Sequence, residues 1–158
     1  MKKTRDYLYL IFVGLILYIC AAIILGGISF FVETYVGIDF ISVILYFLVS
    51  IFITRQVLKG ISIRNKFVSI ILPLYTALMY ILKDFIAIFI IYFLDGASII
   101  DAILLIPRIY YLRLITAFSF DFTVDGVFTS IINALIYIID ILIMCVGIYN
   151  SYKITKRE

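Results

Sequence analysis

Three charged residues lie well inside long apolar runs of this sequence: Lys83, Asp84 and Asp140. A charge near the centre of a bilayer costs about 2.5–3.5 kcal/mol on insertion scales, so such residues normally face other helices and pair. Lys83 and Asp84 are sequence neighbours that point about 100° apart on a helix, so we expect the lysine to need a partner on another helix. Asp140 is the candidate: the two residues differ by roughly 7 Å in depth, but on antiparallel helices their side chains lean toward each other and a lysine can reach. Asp84 then remains for Tyr, Ser or Thr hydroxyls, for water or for a proton.

Polar side chains recur every three or four residues on the two helices that carry these charges. The two faces hold Asn133, Tyr137 and Asp140 on one helix and Thr76, Tyr80 and Lys83 on the other. A helix face this polar packs against protein rather than lipid. The pattern is typical either of a path for a cation or proton, or of a buried ion pair that fixes which helices pack together.

A separate group could bind phosphate: Arg108, Tyr110, Tyr111 and Arg113. Guanidinium groups suit phosphate oxygens, and tyrosine is enriched at the membrane–water interface. This group indicates either contact with a lipid phosphate or anchoring at the interface without specificity.

The composition excludes much catalytic and metal chemistry. The chain has no histidine, and its two cysteines, Cys20 and Cys145, form no CxxC or Cys/His cluster, so we expect buried, inert thiols. No GxSxG, HExxH or phosphate-binding loop motif occurs. The sequence therefore predicts no enzyme, no cofactor, no metal site and no nucleic-acid partner.

The hydropathy of the chain indicates which secondary-structure elements carry these residues. Hydrophobic residues make up 66% of the chain and charged residues 15%, with a mean hydropathy of +1.24. Soluble domains average about 45–50% apolar and about 25% charged residues. The composition therefore predicts an all-α integral membrane protein.

Four runs are long enough to span a bilayer, which needs about 20 apolar residues. We expect helices over residues 7–32, 40–57, 67–94 and 127–149, in a single transmembrane domain of residues 1–158. Asn65 is the expected cap of the third helix, and Gly96 its left-handed terminator.

Residues 98–122 are mostly apolar but also contain charged side chains. This pattern predicts two short interfacial helices that meet at Pro107, and Ser98 and Asp101 form a capping box at the start of the first. The alternative for this segment is a fifth span or a re-entrant hairpin.

Charge placement predicts the orientation. Ten of the 13 basic residues fall at the amino terminus, in the loop around Gly60 and in the carboxy-terminal tail. The positive-inside rule then favours both termini in the cytoplasm, whereas a fifth span would put the basic tail outside. The richness in Ile, Phe, Tyr and Lys is typical of an AT-rich, bacterial genome, which indicates a multi-pass protein of the cytoplasmic (inner) membrane.

Two functions from different classes fit these features. The first is a small cation- or proton-linked transporter or channel-like protein that uses the buried charges and works as an oligomer. The second is a non-transporting accessory or immunity-type subunit, which would dock on another membrane protein through residues 98–120. The expected partners are the lipid bilayer and either further copies of the chain or another membrane protein.

Overall fold

All elements in the described part of the chain are helices, so the expected all-α architecture is confirmed. The computed structural model describes residues 2–36, 39–63, 65–96, 98–118 and 124–157. Four helical stretches have the length and hydropathy of membrane spans: Lys3–Phe31, Ile41–Lys59, Lys66–Leu94 and Thr129–Lys156. These four correspond to the four spans expected from the sequence.

The first helix, α1, is continuous over residues 2–36 but contains two π-helical segments, Tyr9–Gly14 and Val32–Val36. A π turn takes one more residue than an α turn and frees a carbonyl from the regular ladder. Near the first segment, the Tyr75 hydroxyl donates to the Ile11 carbonyl at 3.5 Å, so a side chain of another helix interacts with this part of the backbone.

The next two helices are α2, Asp39–Lys59, and α3, Lys66–Leu94. As expected, Asn65 caps α3, because its Oδ1 accepts from the Val68 N–H at 3.1 Å. At the other end Gly96 adopts a φ of 86°, the left-handed conformation that glycine takes without steric cost. Both ends of α3 therefore follow local sequence signals.

The fourth helix, α4, corrects the expectation of two short helices. It runs without a break over Ile99–Phe118 with Pro107 inside it. Proline removes one backbone hydrogen bond and bends a helix, but it need not end a helix whose other bonds remain. The Ser98–Asp101 cap is confirmed, since the Asp101 N–H donates to Ser98 Oγ at 3.1 Å and Ser98 Oγ donates to Asp101 Oδ2 at 2.6 Å. Residues 119–122 of the expected interfacial segment lie outside the described residues.

The last helix, α5, covers Val124–Arg157 and continues past the expected end near residue 149. Its final turns bury Ser151 and Thr155 while Lys153 and Lys156 stay exposed. The tail is therefore an amphipathic end of the helix rather than a separate soluble segment.

The chain forms two compact units, one of Met1–Ala87 with Met144–Glu158 and one of Ile88–Ile143. Large buried side chains of α1, α2 and α3 make the core of the first unit: Leu10, Tyr18, Leu25, Tyr46, Leu58, Leu72 and Met79. The second unit is richer in exposed apolar side chains, such as Ile100, Leu104 and Leu135. Exposed aliphatic side chains are the normal outer surface of a helix that contacts lipid.

One end of the first unit collects basic residues. The Ser62 N–H donates to Asp6 Oδ2 at 2.8 Å, which places the first turn of α1 against the α2–α3 loop. The Thr54 and Ser151 hydroxyls lie 3.2 Å apart, so the last turns of α5 reach the same end of α2. This end, called the basic end below, has exposed basic side chains: Lys3, Arg5, Arg55, Lys59, Lys66, Lys153 and Lys156.

Two adjacent glycines of α1 differ in their surroundings. A Cβ added at Gly26 would lie 2.7 Å from Ile86 Cβ and 2.8 Å from the Lys83 carbonyl oxygen, whereas one added at Gly27 would meet nothing within 4 Å. The missing side chain at Gly26 therefore lets α1 approach the backbone of α3 closely, as small residues do between membrane helices.

Candidate functional site

The buried charges of α3 pair with each other. Lys83 Nζ lies 2.7 Å from Asp84 Oδ1, with side chains that are 6% and 25% exposed. The expectation that sequence neighbours would not pair is wrong, because a lysine side chain has four flexible methylenes and can bend across one residue of the helix surface. The ammonium group also lies 4.9 Å from the centre of the Tyr80 ring, one turn back along the helix.

The first unit also contains a cluster of buried hydroxyl groups. Thr54 Oγ1 donates to the Ser50 carbonyl at 2.7 Å, so its single proton is used. The Tyr18 hydroxyl at 2.6 Å and the Ser151 hydroxyl at 3.2 Å therefore both donate to Thr54 Oγ1. One threonine thus joins α1, α2 and α5 through side-chain oxygens, and all four residues are buried.

Aromatic side chains pack close to the charge pair. The Tyr46 hydroxyl donates to the Thr76 carbonyl at 3.4 Å, and the Tyr46 ring lies edge-on to the Tyr80 ring at 4.9 Å between centroids. A Cβ added at Gly147 of α5 would overlap Tyr46, so this ring occupies the space that the glycine leaves. Tyr46 of α2 therefore packs against both α5 and the part of α3 that carries Tyr80, one turn before the ion pair.

The predicted polar face of α3 is found at one site: Thr76, Tyr80 and Lys83 are all buried. The predicted face of α5 lies in the second unit, where Asn133 and Tyr137 are half-buried and Asp140 is exposed. Tyr137 and Asp140 each take part in an interaction within the chain. The Lys83–Asp140 pair stays a prediction.

The predicted phosphate-binding group belongs to α4. Arg108 and Tyr111 are exposed there, as contact with a lipid headgroup would require. The side chains of Tyr110 and Arg113 lie outside the described residues.

Sequence reasoning missed a buried carboxylate at the basic end. The Asp6 side chain is 2% exposed, and among the described residues its Oδ1 has no hydrogen-bond partner. In the sequence, Asp6 is a single acid within a basic amino-terminal segment. An acid exposed to water would show the same pattern, so the sequence could not mark Asp6 as buried. The hydroxyls of Tyr18 and Thr54 were missed for a similar reason, because single hydroxyls occur on many membrane helices.

The cysteines correct another expectation. Cys20 and Cys145 are both free, as expected, but exposed rather than buried. They lie on the outward faces of their helices. The described residues contain no group of three or more His, Cys, Asp or Glu side chains that could hold a metal ion.

The described residues thus form an all-helical protein with four helices long and apolar enough to cross a membrane, and its first unit contains the buried Lys83–Asp84 ion pair. Comparison with family models, curated proteins and solved structures found no match to this chain.

Proposed function

We propose that this chain is a small cation- or proton-linked transport protein of the bacterial cytoplasmic membrane, and that Lys83 and Asp84 are its charge site. The observation that carries the proposal is this ion pair, 2.7 Å between Nζ and Oδ1, inside a helix long and apolar enough to span a bilayer. Ionisable residues within spans are costly and concentrate on ion and proton pathways.

The surroundings of the pair support exchange rather than permanent closure. The Asp84 side chain is a quarter exposed while Lys83 is nearly covered, so the carboxylate is the partner that protein encloses less completely. Tyr80 offers a ring face that holds the ammonium group when the carboxylate is engaged elsewhere. The buried oxygens of Tyr18, Thr54 and Ser151 extend the polar interior toward the basic end.

The proposal includes an orientation with both termini in the cytoplasm. The basic end unites the first turn of α1, the α2–α3 loop and the last turns of α5, which are the segments that the positive-inside rule keeps inside. The helix α4 would then lie at the outer surface with Arg108 and Tyr111 at the lipid headgroups. Because four helices enclose little volume, we propose that the working form is an oligomer.

The test uses Asp84→Asn, which keeps the size of the side chain but removes its charge. In proteoliposomes we expect this change to reduce cation or proton flux to the level of empty vesicles. Asp95→Asn is the matched control, because Asp95 is an exposed acid just beyond the end of the same helix. Removing one partner of a buried pair costs about 3–5 kcal/mol, so the double change Lys83→Met with Asp84→Asn provides a neutral site that also lacks the charge. Full flux through either variant would contradict the proposed site.

A second candidate is an accessory or immunity-type subunit without transport activity. The direct Lys83–Asp84 contact favours it in one respect, because a pair that neutralises itself can serve helix packing alone. Wild-type vesicles that stay tight to protons, monovalent cations and anions would replace the transport proposal with this candidate.

A further inference from the structure

Lysines mark the ends of the long apolar helices at the basic end of the first unit. The four candidate spans each begin or end there with a lysine, at Lys3, Lys59, Lys66 and Lys156. All four side chains are exposed, and the other three basic side chains of this end lie within four residues of them. Positive charges therefore border the apolar surface of every span at one end of the unit, where the headgroups of a bilayer would lie.

Contacts within the chain hold the charges of three helices together. Asp6 Oδ2 accepts from the Ser62 N–H at 2.8 Å, so the turn that carries Arg5 lies against the α2–α3 loop. This loop joins Lys59, the last residue of α2, to Lys66, the first residue of α3. A second hydrogen bond and an edge-on ring contact hold the same turn of α1 to the start of α3. Because these contacts form without a ligand, the basic surface is largely in place before binding, which lowers the entropic cost of binding.

Asp6 offsets only one of these positive charges. It is the one acidic residue that the structure describes at this end, against seven exposed basic side chains. Its side chain is 2% exposed and bonded to the Ser62 N–H, whereas Arg5, 3.8 Å from Oδ1, is 74% exposed. Like charges at a common surface repel one another, and an anion that contacts several of them removes part of that repulsion. The surface is therefore suited to an anionic ligand.

Two tyrosines of α5 favour a lipid as the source of that anion. Lys153 Nζ lies 5.9 Å from the centre of the Tyr149 ring, and Lys156 Nζ lies 4.8 Å from that of Tyr152. The two tyrosines are 59% and 37% exposed, and exposed tyrosine is enriched at the membrane–water interface. The ammonium groups are thus held against rings at headgroup depth instead of extending away from the bilayer. A soluble phosphate would gain nothing from these rings, whereas the phosphate of a lipid lies at their level.

We propose that the basic end is a binding surface for anionic phospholipids, whose phosphates contact its ammonium and guanidinium groups. Clusters of about four to eight basic residues beside spanning helices attract anionic lipids. A zwitterionic lipid carries its own cation beside the phosphate, so its net charge is zero and its attraction is weaker. The surface therefore selects phosphatidylglycerol over phosphatidylcholine. This inference rests on the charges of the basic end and is independent of the transport proposal.

The first test titrates the purified full chain in neutral detergent with dioleoyl phosphatidylglycerol or dioleoyl phosphatidylcholine and counts bound lipids by native mass spectrometry. The wild type should bind phosphatidylglycerol more tightly. A basic residue near an anionic lipid surface contributes roughly fivefold in affinity, so Lys59→Gln with Lys66→Gln should weaken phosphatidylglycerol binding by about 25-fold. The same change should leave phosphatidylcholine binding as it is.

The matched control is Lys59→Arg with Lys66→Arg, which keeps both charges and should keep the wild-type affinity. Equal binding of the two lipids by the wild type, or wild-type affinity in the glutamine variant, would overturn the proposal. An arginine variant as weak as the glutamine variant would also overturn it, because charge would then not be the cause. Displacement of phosphatidylglycerol by an equal concentration of glycerol phosphate would replace the lipid with a soluble phosphate as the ligand.

A second measurement needs no variant. A phosphatidylglycerol analogue with a photoreactive group beside its phosphate is mixed in small amount into phosphatidylcholine vesicles that contain the wild-type protein. After illumination, mass spectrometry locates the adducts. We expect most of them in residues 1–9, 55–66 and 150–157, and fewer as salt is raised, because salt screens exposed charges. Adducts spread evenly along the chain, or confined to the region around Arg108, would overturn the proposal even if the glutamine variant fails to fold.

Discussion

The adjacent glycines of α1 allow a sharp test of how α1 packs on α3. We expect Gly26→Ala to destabilise the protein and Gly27→Ala to leave it unchanged or slightly more stable. The new methyl group at Gly26 would lie 2.7 Å from Ile86 Cβ and 2.8 Å from the Lys83 carbonyl oxygen. Because carbon atoms normally pack at about 3.5–4.0 Å, the two helices would have to separate by about 0.8 Å at this point.

The expected magnitude follows from the atoms involved. Neither a backbone carbonyl nor a Cβ can move away by a change of rotamer, so the strain falls on the helix–helix contact. Overpacking of this kind costs about 1–3 kcal/mol. Gly27→Ala has open space around it and gains up to about 1 kcal/mol of helix propensity. Gly26→Ala gains the same helix propensity, so the two variants should differ by the overpacking cost alone, about 1–3 kcal/mol in free energy of unfolding, although they add the same group at neighbouring positions.

The measurement is equilibrium unfolding in mixed detergent micelles, followed by far-ultraviolet circular dichroism as the denaturing detergent is increased. Both variants keep the charge, and their hydropathy changes equally, so detergent binding should affect them alike. If Gly26→Ala is as stable as Gly27→Ala, the close approach of α1 and α3 at this level is refuted.

Two further predictions concern the hydroxyl cluster and the orientation. Tyr18→Phe removes the 2.6 Å hydrogen bond to Thr54 and should lower the free energy of unfolding by about 0.5–1.5 kcal/mol in the same assay. Tyr35→Phe, at an exposed position, is the control and should cause no measurable change. Equal effects of the two changes would contradict the hydroxyl cluster. In a variant without native cysteines, a cysteine at the exposed position Ser98 should react with an impermeant maleimide on intact cells, and one at the exposed loop position Ser62 should not. The opposite pattern would reverse the proposed orientation.

The features that could be predicted from sequence are those decided locally. A span requires about 20 apolar residues whatever its neighbours are, so the four long helices were visible in the hydropathy pattern. Caps also depend on a few adjacent residues, which is why Asn65, Gly96 and the Ser98–Asp101 pair took their expected roles.

The remaining features depend on contacts that sequence spacing does not encode. Asp6 is buried by a loop 56 residues further along the chain, so no local pattern marks it. The Lys83–Asp84 pair depends on the bend of a flexible side chain, whereas the expectation used only the direction of its Cβ. The extension of α5 arises because Ser151 packs against Thr54, and the continuity of α4 through Pro107 arises because one missing hydrogen bond does not end a helix.

The bond between Thr54 and Ser151 also has a consequence for biosynthesis, since it joins residues 97 positions apart. Ribosomes add about 5–20 residues per second, so about 5–20 s pass between the synthesis of the two side chains. During that interval α1, α2 and α3 can enter the bilayer, but the hydroxyl of Thr54 lacks one of its donors. The first unit is therefore completed only when the final turns of α5 arrive, and a chain interrupted before them would present an unfinished polar surface to membrane proteases.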